Sequence, residues 1–188
     1  MYRQYLKRTF DIVFALAALI LLSPLMLVTA LAIYLYDRQP VFFRQNRVGA
    51  NGEQFRIFKF RSMPVTAANV QKSEAVALPV TPVGKIIRRT NIDELPQLIN
   101  ILRGDMSIVG PRPPIPSQTD LIALRSANRA LTCKPGLTGL AQINGYDYMP
   151  DREKADYDGE YARKMSFFLD ASIILRTFPR LARRPPVY

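Results

Sequence analysis

Between Asp11 and Asp37 the chain carries no charged residue. That window holds about 25 residues, ~37 Å as a straight helix at ~1.5 Å per residue. A bilayer core requires about 20 apolar residues in helical form, so the run is long enough to cross one. At its centre, however, stands Ser23-Pro24 within "ALILLSPLMLV". A proline inside a helix removes a backbone donor and costs ~3 kcal/mol. In lipid the freed carbonyl must find another donor, and the Ser23 hydroxyl can supply one. The proline divides the run into halves of about 12 residues, each ~18 Å long, just past the middle of a ~30 Å hydrocarbon core. Both flanks are basic: Arg3, Lys7 and Arg8 before the run, Arg38, Arg44 and Arg47 after it. Basic flanks favour the cytoplasmic side. A re-entrant helix-break-helix satisfies both flanks at once, and a single span satisfies one. A kinked span and a buried soluble helix stay open on these residues. A cleaved signal peptide does not fit, because the apolar region is too long and Asp11 interrupts its basic start.

Composition narrows the chemistry. The 188 residues carry a formal charge of +11, which points to anionic partners such as acidic lipid, phosphorylated substrate or nucleic acid. Cys133 is the single cysteine, so no intrachain disulfide forms, and a buried apolar role is expected for it. The sequence has no histidine. That removes Ser-His-Asp and Cys-His nucleophile systems and most zinc sites. An acid, base or nucleophile here is then a carboxylate, and a metal is a hard, oxygen-bound ion such as magnesium.

Past the apolar run, residues 41–63 read as a β-hairpin. Phe55, Ile57 and Lys59 alternate with Arg56, Phe58 and Phe60, and "GANG" at 49–52 offers the positive-φ positions of a turn. Residues 64–82 read as a long loop. In residues 83–113, Leu95, Leu98, Ile99 and Leu102 recur at helical spacing, with Asp93 as the expected N-cap, Pro96 in the first turn and Gly104 as the stop. Helices are expected over 119–131 and 151–165, and a glycine-punctuated loop over 134–146. Residues 166–184 mix Phe167, Phe168, Leu169, Ile173, Ile174 and Leu175 with Arg176, Arg180, Arg183 and Arg184. That pattern suits either an interfacial helix on an anionic membrane or a core helix with a basic tail. No internal repeat and no second-domain linker is evident. The expected class is α+β: a membrane anchor over residues 1–36, then one catalytic body over 37–188 with a small hairpin sheet and several helices, some interfacial.

The stretch "RRTNIDE" concentrates the chemistry. Arg88 and Arg89 precede the adjacent carboxylates Asp93 and Glu94 at an expected helix start, where orphan amides and the helix dipole favour anions. Two neighbouring acids can share a divalent ion, or divide into metal ligand and nucleophile. Lys59 in "FKFRSM" and Arg112 in the stiff "PRP" add cations suited to phosphate oxygens. The plainer alternative is that an Asp-Glu pair at a helix start is only a cap.

The chain resembles the monotopic phosphoglycosyltransferases of the bacterial sugar transferase family. "KRTFDIVFALAALILLSPL", "VFFRQNRVGANGEQFRIFKFRSM", "RRTNIDELPQLINILRGDMSIVGPRP", "KPGLTGLAQINGY" and "YARKMSFFLD" carry the likeness and cover almost the whole chain in order. The resemblance implies the re-entrant form, with Ser23 and Pro24 at the break. It implies transfer of a sugar-1-phosphate from a nucleotide diphosphate sugar, usually a UDP-sugar, to polyprenyl phosphate, with UMP leaving. It implies Asp93 as the nucleophile of a covalent phosphosugar intermediate, Glu94 as its partner, and Mg²⁺ or Mn²⁺ held by the two acids. Lys59, Arg88 and Arg112 become phosphate or nucleotide ligands, and Asp158 near "YDGEYA" matches an acidic family position. The implied place is the cytoplasmic face of the bacterial inner membrane, against anionic phospholipids, in the minimal form of the family with no preceding transmembrane domain. A homodimer is compatible with that form, and no nucleic-acid partner is expected. "QINGY" departs from a common "QINGR" by placing Tyr146 where many relatives carry arginine. Two rivals remain: direct attack by the lipid phosphate with both acids as metal ligands, and a membrane-tethered nucleic-acid binder using the Arg/Phe hairpin and basic tail. A catalytically inert anchor fits the amphipathic features but not the combined motifs.

If the apolar run re-enters, tags fused to the two ends of the chain will both be reached by a membrane-impermeant reagent only from the cytoplasmic side. A tag reached from the periplasmic side identifies a span.

Overall fold

The computed structural model describes residues 2–64, 80–145 and 149–181. Most of the expected 64–82 loop, together with Tyr146, Arg183 and Arg184, lies outside the described residues. Among the described residues, seven α-helices and two two-stranded sheets make a mixed α and β body.

After a π-helical turn over Tyr2–Leu6, helix α1 spans Lys7–Asp37 without interruption. Pro24 sits inside it, and the carbonyl it orphans is that of Ile20. The Ser23 hydroxyl donates to that carbonyl at 2.9 Å. The donor expected from Ser23 is therefore in place, and helical structure continues through the proline rather than stopping at it. Only 11% of the most apolar 18-residue window of α1 is buried. Leu21 is 78% exposed and Leu27 70%. Apolar surface of this extent is covered stably by lipid rather than water. On either side of Ser23-Pro24 the helix returns to the same body. Ala15, Ala18 and Leu19 pack into the main core with Ile57, Ile101, Met106 and Ile108. Met26, Ala30 and Ile33 pack into a second cluster with Phe60 and Ile87.

Part of the basic flank before the apolar run is bonded into the body. Lys7 and Asp11 are buried. Lys7 Nζ lies 3.1 Å from Asp11 Oδ1 and 2.8 Å from Asp170 Oδ2. Asp11 Oδ1 also accepts from Ser107 Oγ and the Ile108 amide, both at 3.0 Å. Asp170 accepts from Tyr2 Oη at 2.6 Å and Tyr161 Oη at 2.8 Å. Arg8 donates to the Ile101 and Leu102 carbonyls. The charges preceding the apolar run thus fasten it to the body by direct bonds, because a charge at that depth must be paired.

Strands β1 (Phe42–Val48) and β2 (Gln54–Phe60) form the expected antiparallel hairpin, with Phe43 opposite Lys59 and Arg47 opposite Phe55. Asn51 and Gly52 take positive φ in its turn, as "GANG" predicts. Helix α2 covers Pro82–Arg89, capped by Thr81 Oγ1 accepting from the Gly84 amide. A 3₁₀ turn at Ile92–Glu94 leads into α3 (Gln97–Arg103), closed by Gly104 at φ 95° as expected. Asn100 of α3 is fully buried. Its Oδ1 accepts from the Phe58 amide at 2.9 Å, and its Nδ2 donates to the Arg56 carbonyl at 2.8 Å. One side-chain amide thereby acts as a third strand along β2 and locks α3 beside it.

Strand β3 (Ser107–Val109) pairs in parallel with β4 (Gly136–Thr138). The expected loop over 134–146 is thus partly strand, followed by α5 (Leu140–Asn144). Three residues are too few for alternation to show in sequence. Gly136 is required here, since a Cβ would lie 2.1 Å from the Gly110 nitrogen. Helix α4 covers Thr119–Ala127, shorter than the expected 119–131 because Arg129 turns to φ 66° before a 3₁₀ turn. Helix α6 spans Asp151–Lys164 and α7 Phe167–Leu181. On α7, Asp170 and Ile173 are buried while Phe168, Leu175 and Phe178 are exposed, Phe168 at 83%. One face of this helix is core and the other is bare apolar surface, and the basic tail expected after it falls mostly outside the described residues. Cys133 is buried, as expected.

Replacing Asn100 with Leu leaves the Phe58 amide and Arg56 carbonyl without their partner. Thermal unfolding in detergent is expected to show a loss of about 2–4 kcal/mol, against a change within ~0.5 kcal/mol for a surface control such as Glu53→Gln.

Candidate active site

Asp93 and Glu94 occupy the 3₁₀ turn between α2 and α3. Asn91 at φ 54° ends the path of α2 and turns the chain into it. The turn closes through the Glu94 amide to the Asn91 carbonyl at 3.2 Å and the Leu95 amide to the Ile92 carbonyl at 3.1 Å. Asp93 is not the N-cap of α3, as the spacing predicted. Pro96 holds the cap position, and no side chain caps either element. The physical reason is that Pro96 and Leu95 complete a tight lead-in, with the Ile99 amide bonding the Pro96 carbonyl, before α-helical bonding begins. Because Asp93 caps nothing, its carboxylate stays available, and among the described residues no side chain is hydrogen-bonded to it.

Glu94 is held from two sides. Lys59 Nζ on β2 lies 2.6 Å from its Oε1, and Arg112 Nη2 lies 3.2 Å from the same oxygen. The other oxygen, Oε2, is left out of both contacts. Arg88, at the end of α2, donates from Nε to Ser62 Oγ at 2.7 Å. Its charge and that of Lys59 act on Asp93. Lys59, Arg88 and Arg112 are therefore gathered around the acid turn, as the sequence predicted.

The two acids are driven apart electrostatically. Burial pushes the Asp93 carboxyl up to about 6, with the Glu94 charge adding to it and Lys59 and Arg88 opposing. Burial also works against ionised Glu94, but Lys59 and then Arg112 overcome it and hold that carboxyl well below the usual carboxylate range. Neighbouring acids with separated affinities for the proton mark a site with divided roles.

The "PRP" frame is rigid because its carbonyls are all engaged. Proline has no amide proton, so the segment relies on its acceptors. Pro111 accepts from the Gly136 amide, Arg112 from Arg125 Nη1, Pro113 from Arg47 Nη1 and Pro114 from the Val48 amide. Asp158 does not join the acid turn. It is buried at 1% exposure and paired with Arg125, whose Nε donates to it at 2.8 Å. The expected substrate contact at Asp158 is thus an ion pair that supports the backbone of Arg112 from behind. Ser23 and Pro24 lie at the exposed middle of α1, away from these residues.

Three contributors were missed in the sequence. Ser62 orients Arg88, and its place two residues after Phe60 in "FRSM" was the only cue. Gln97 and Arg47 line a recess with Ile57, Lys59, Arg112 and Pro113. Arg47 was read as a flanking membrane charge. Burial, and then the nearby Arg112 charge, push its guanidinium down to about 10.

The arrangement defines a class: a cationic cleft around two divided carboxylates, on a body fastened to a lipid-suited helix. Comparison with known proteins agrees. The family profile described as bacterial sugar transferase matches residues 2–184. A UDP-glucose:undecaprenyl-phosphate glucose-1-phosphate transferase of Caulobacter vibrioides is 41% identical, over 97% of this chain and 72% of that protein. The transferase of the same name in Escherichia coli is 42% identical, over 92% of this chain and 39% of its own length. A UDP-N-acetylgalactosamine-undecaprenyl-phosphate N-acetylgalactosaminephosphotransferase of Aeromonas hydrophila is 42% identical, over 92% of this chain and 43% of its own. The chain spans less than half of the last two. It belongs to the bacterial sugar transferase family.

The raised proton affinity of Asp93 is also a statement about stability. The fold prefers the protonated acid, so above pH 6 its ionised form is a penalty, and the penalty fades as pH falls toward the unfolded value of 3.8. With a chelator present, Asp93→Asn is expected to be more stable than the parent at pH 8 by roughly 1–2 kcal/mol. The gap should close by about pH 4, as read from melting temperatures across pH.

Proposed function

We propose that this chain transfers a sugar-1-phosphate from a UDP-sugar to a polyprenyl phosphate such as undecaprenyl phosphate, giving the polyprenyl diphosphate sugar and UMP. The observation that carries the reading is the acid turn itself. One carboxylate is clamped by Lys59 and Arg112 and stays ionised, while its neighbour is unengaged. Family membership and the names of the relatives support the substrate classes.

Asp93 is the nucleophile. Its carboxylate oxygen bonds to the phosphorus that carries the sugar, and the bond from that phosphorus to the bridging oxygen of UMP breaks. UMP takes the electron pair and leaves. An oxygen of the polyprenyl phosphate then attacks the same phosphorus, and the Asp93 carboxylate is restored. Two polyanions use one site in turn. Lys59, Arg88 and Arg112 orient phosphoryl oxygens and offset their charge through fixed donors. Asp158 acts through Arg125 as a positioning residue for Arg112. A divalent ion fits the donor set: Asp93 has no competing side-chain bond, and Glu94 has Oε2 beyond its two cation contacts. Among the described residues no group of three acids or thiols is present, so substrate phosphate and water would complete the shell, as suits Mg²⁺ or Mn²⁺. The ion would supply charge neutralisation to the diphosphate. Asp93, without a side-chain hydrogen bond among the described residues, suits attack and metal ligation alike, and a burst of UMP without acceptor distinguishes the two mechanisms.

Residues 1–36 serve as a re-entrant anchor with its vertex at Ser23-Pro24, and 37–188 as the catalytic body on the cytoplasmic face of the inner membrane. The packing of both halves of α1 on one body supports this, since a helix that crossed the bilayer would carry one end away. The bare phenylalanines of α7 and the net charge of +11 suit an anionic lipid surface.

Purified protein with Mg²⁺ and a radiolabelled UDP-sugar, without lipid acceptor, is expected to release one UMP per protein and retain label. Asp93→Asn should lose both, and adding polyprenyl phosphate should discharge the label from the parent. Turnover that occurs only with acceptor present, without a burst, would favour direct attack.

A further inference from the structure

Arg47 braces the Pro113 carbonyl, but that bond does not meet its charge or its third donor position. It lies on β1, on the hairpin face that also carries Lys59, since Arg47 pairs with Phe55 and Phe43 with Lys59. Its Nη1 donates to the Pro113 carbonyl at 3.1 Å and its Nη2 to Gln45 Oε1 at 2.7 Å. Its Nε is buried and finds no acceptor among the described residues. Among the described residues no carboxylate forms an ion pair with it. The buried cations among the described residues are treated differently: Lys7 has Asp11 and Asp170, Arg61 has Asp37, and Arg125 has Asp158. The carboxylate acting on Arg47 from nearby, Glu94, is already shared by Lys59 and Arg112. A half-buried guanidinium with an unmet donor and an uncompensated charge is unfavourable unless a ligand completes it.

The recess is narrow, about 10 Å³, so an anion would sit at its mouth, where the cations converge. Arg47, Lys59 and Arg112 line it together, with Gln97 as a neutral polar neighbour. Three cations and one amide around a recess beside the acid turn recognise phosphate. The planar fork of arginine matches two phosphate oxygens, where a lysine offers a point charge. Arg8, also half-buried and without a carboxylate ion pair among the described residues, spends its guanidinium on the Ile101 and Leu102 carbonyls, whereas Arg47 keeps a buried Nε without an acceptor among the described residues and shares its recess with two further cations.

We propose that Arg47 is a phosphate-contacting residue that completes, with Lys59 and Arg112, an anion subsite on the hairpin side of the acid turn. Resting on the transferase reading above, the phosphate belongs either to the nucleotide portion of the donor or to the head of the polyprenyl acceptor. The chemistry is shared, and the experiment separates the two sources.

The variants are Arg47→Gln, which removes the charge, and Arg47→Lys, which keeps it but loses the fork. In detergent or nanodiscs, Arg47→Gln is expected to raise one KM on the order of 10- to 100-fold, with Arg47→Lys intermediate. A raised KM for the UDP-sugar with weaker inhibition by UMP assigns the nucleotide phosphate. A raised KM for polyprenyl phosphate with unchanged UMP inhibition assigns the lipid phosphate. Separately, inorganic pyrophosphate in the presence of a chelator is expected to raise the melting temperature of the parent, and to do so less for Arg47→Gln. If the parent transfers nothing but the pyrophosphate shift still depends on Arg47, the subsite stands and the transferase reading falls. If the parent is active while both variants keep its KM values, its UMP inhibition and its pyrophosphate shift, the subsite is overturned. It is equally overturned if Arg47→Gln lowers the ligand-free melting temperature and Arg47→Lys restores it with all KM values unchanged, since the arginine is then only a brace.

Discussion

The fold hangs on one buried polar knot, in which Lys7 bridges Asp11 of the apolar helix and Asp170 of the last helix. An apolar helix by itself has no preferred rotation or depth against a protein surface, because one leucine face is much like another. A carboxylate inside such a helix changes that. Asp11 is stable only where Lys7, Ser107 and the Ile108 amide all reach it. Removing a partner from a buried ion pair costs ~3–5 kcal/mol, so alternative seatings of the helix are strongly disfavoured. Asp170 is satisfied in the same knot by Tyr2 and Tyr161. The two apolar helices α1 and α7 are thus registered to each other and to β3 by donors and acceptors rather than by grease.

From that knot the constraint passes to the acid turn along short, bonded steps. The Ile108 amide ties Asp11 to β3, and β3 runs directly into Pro111–Pro114, whose carbonyls are all held. Arg112 is therefore positioned from behind by the Asp158–Arg125 pair and from the flank by Arg47. On the opposite side, Asn100 binds α3 to β2 and sets Glu94 against Lys59. Arg61 donates to Asp37 at the far end of α1, so the strand that carries Lys59 is tied to the exit of the apolar helix as well. Reactive groups held on strands and pinned loops keep their geometry better than groups on free loops. Within the acid turn the fold disfavours the ionised form of Asp93, and beside it burial disfavours the charged form of Arg47.

Much of the site was legible in the chain because its chemistry is local. Asp93 and Glu94 are neighbours, Arg88 precedes them by a single turn, and the absence of histidine removed competing catalysts. The hairpin was legible because alternation and "GANG" are short-range signals, and the role of Ser23 because a proline fixes which carbonyl needs a donor. Other assignments failed where the partner is distant. Asp158 and Arg125 are 33 residues apart and Arg47 and Pro113 are 66 apart, and nothing local announces either contact. Lys7 and Asp11 looked like a flank because charge at the edge of an apolar run usually is one, and only Asp170 makes them a knot.

By itself the sequence determined that an apolar stretch of membrane length carries a proline repaired by its own serine. It also determined that any chemistry is carboxylate chemistry among cations, since composition and spacing survive any folding. The tertiary structure alone decided which cations lie beside the acid turn and which are paired elsewhere. It paired Lys7 and Arg125 with buried acids and Arg61 with the half-buried Asp37, placed Lys59 and Arg112 on Glu94, and among the described residues left Arg47 without a carboxylate. Charge balance in a protein interior depends on distance and burial, and both are set by long-range packing that no local pattern encodes.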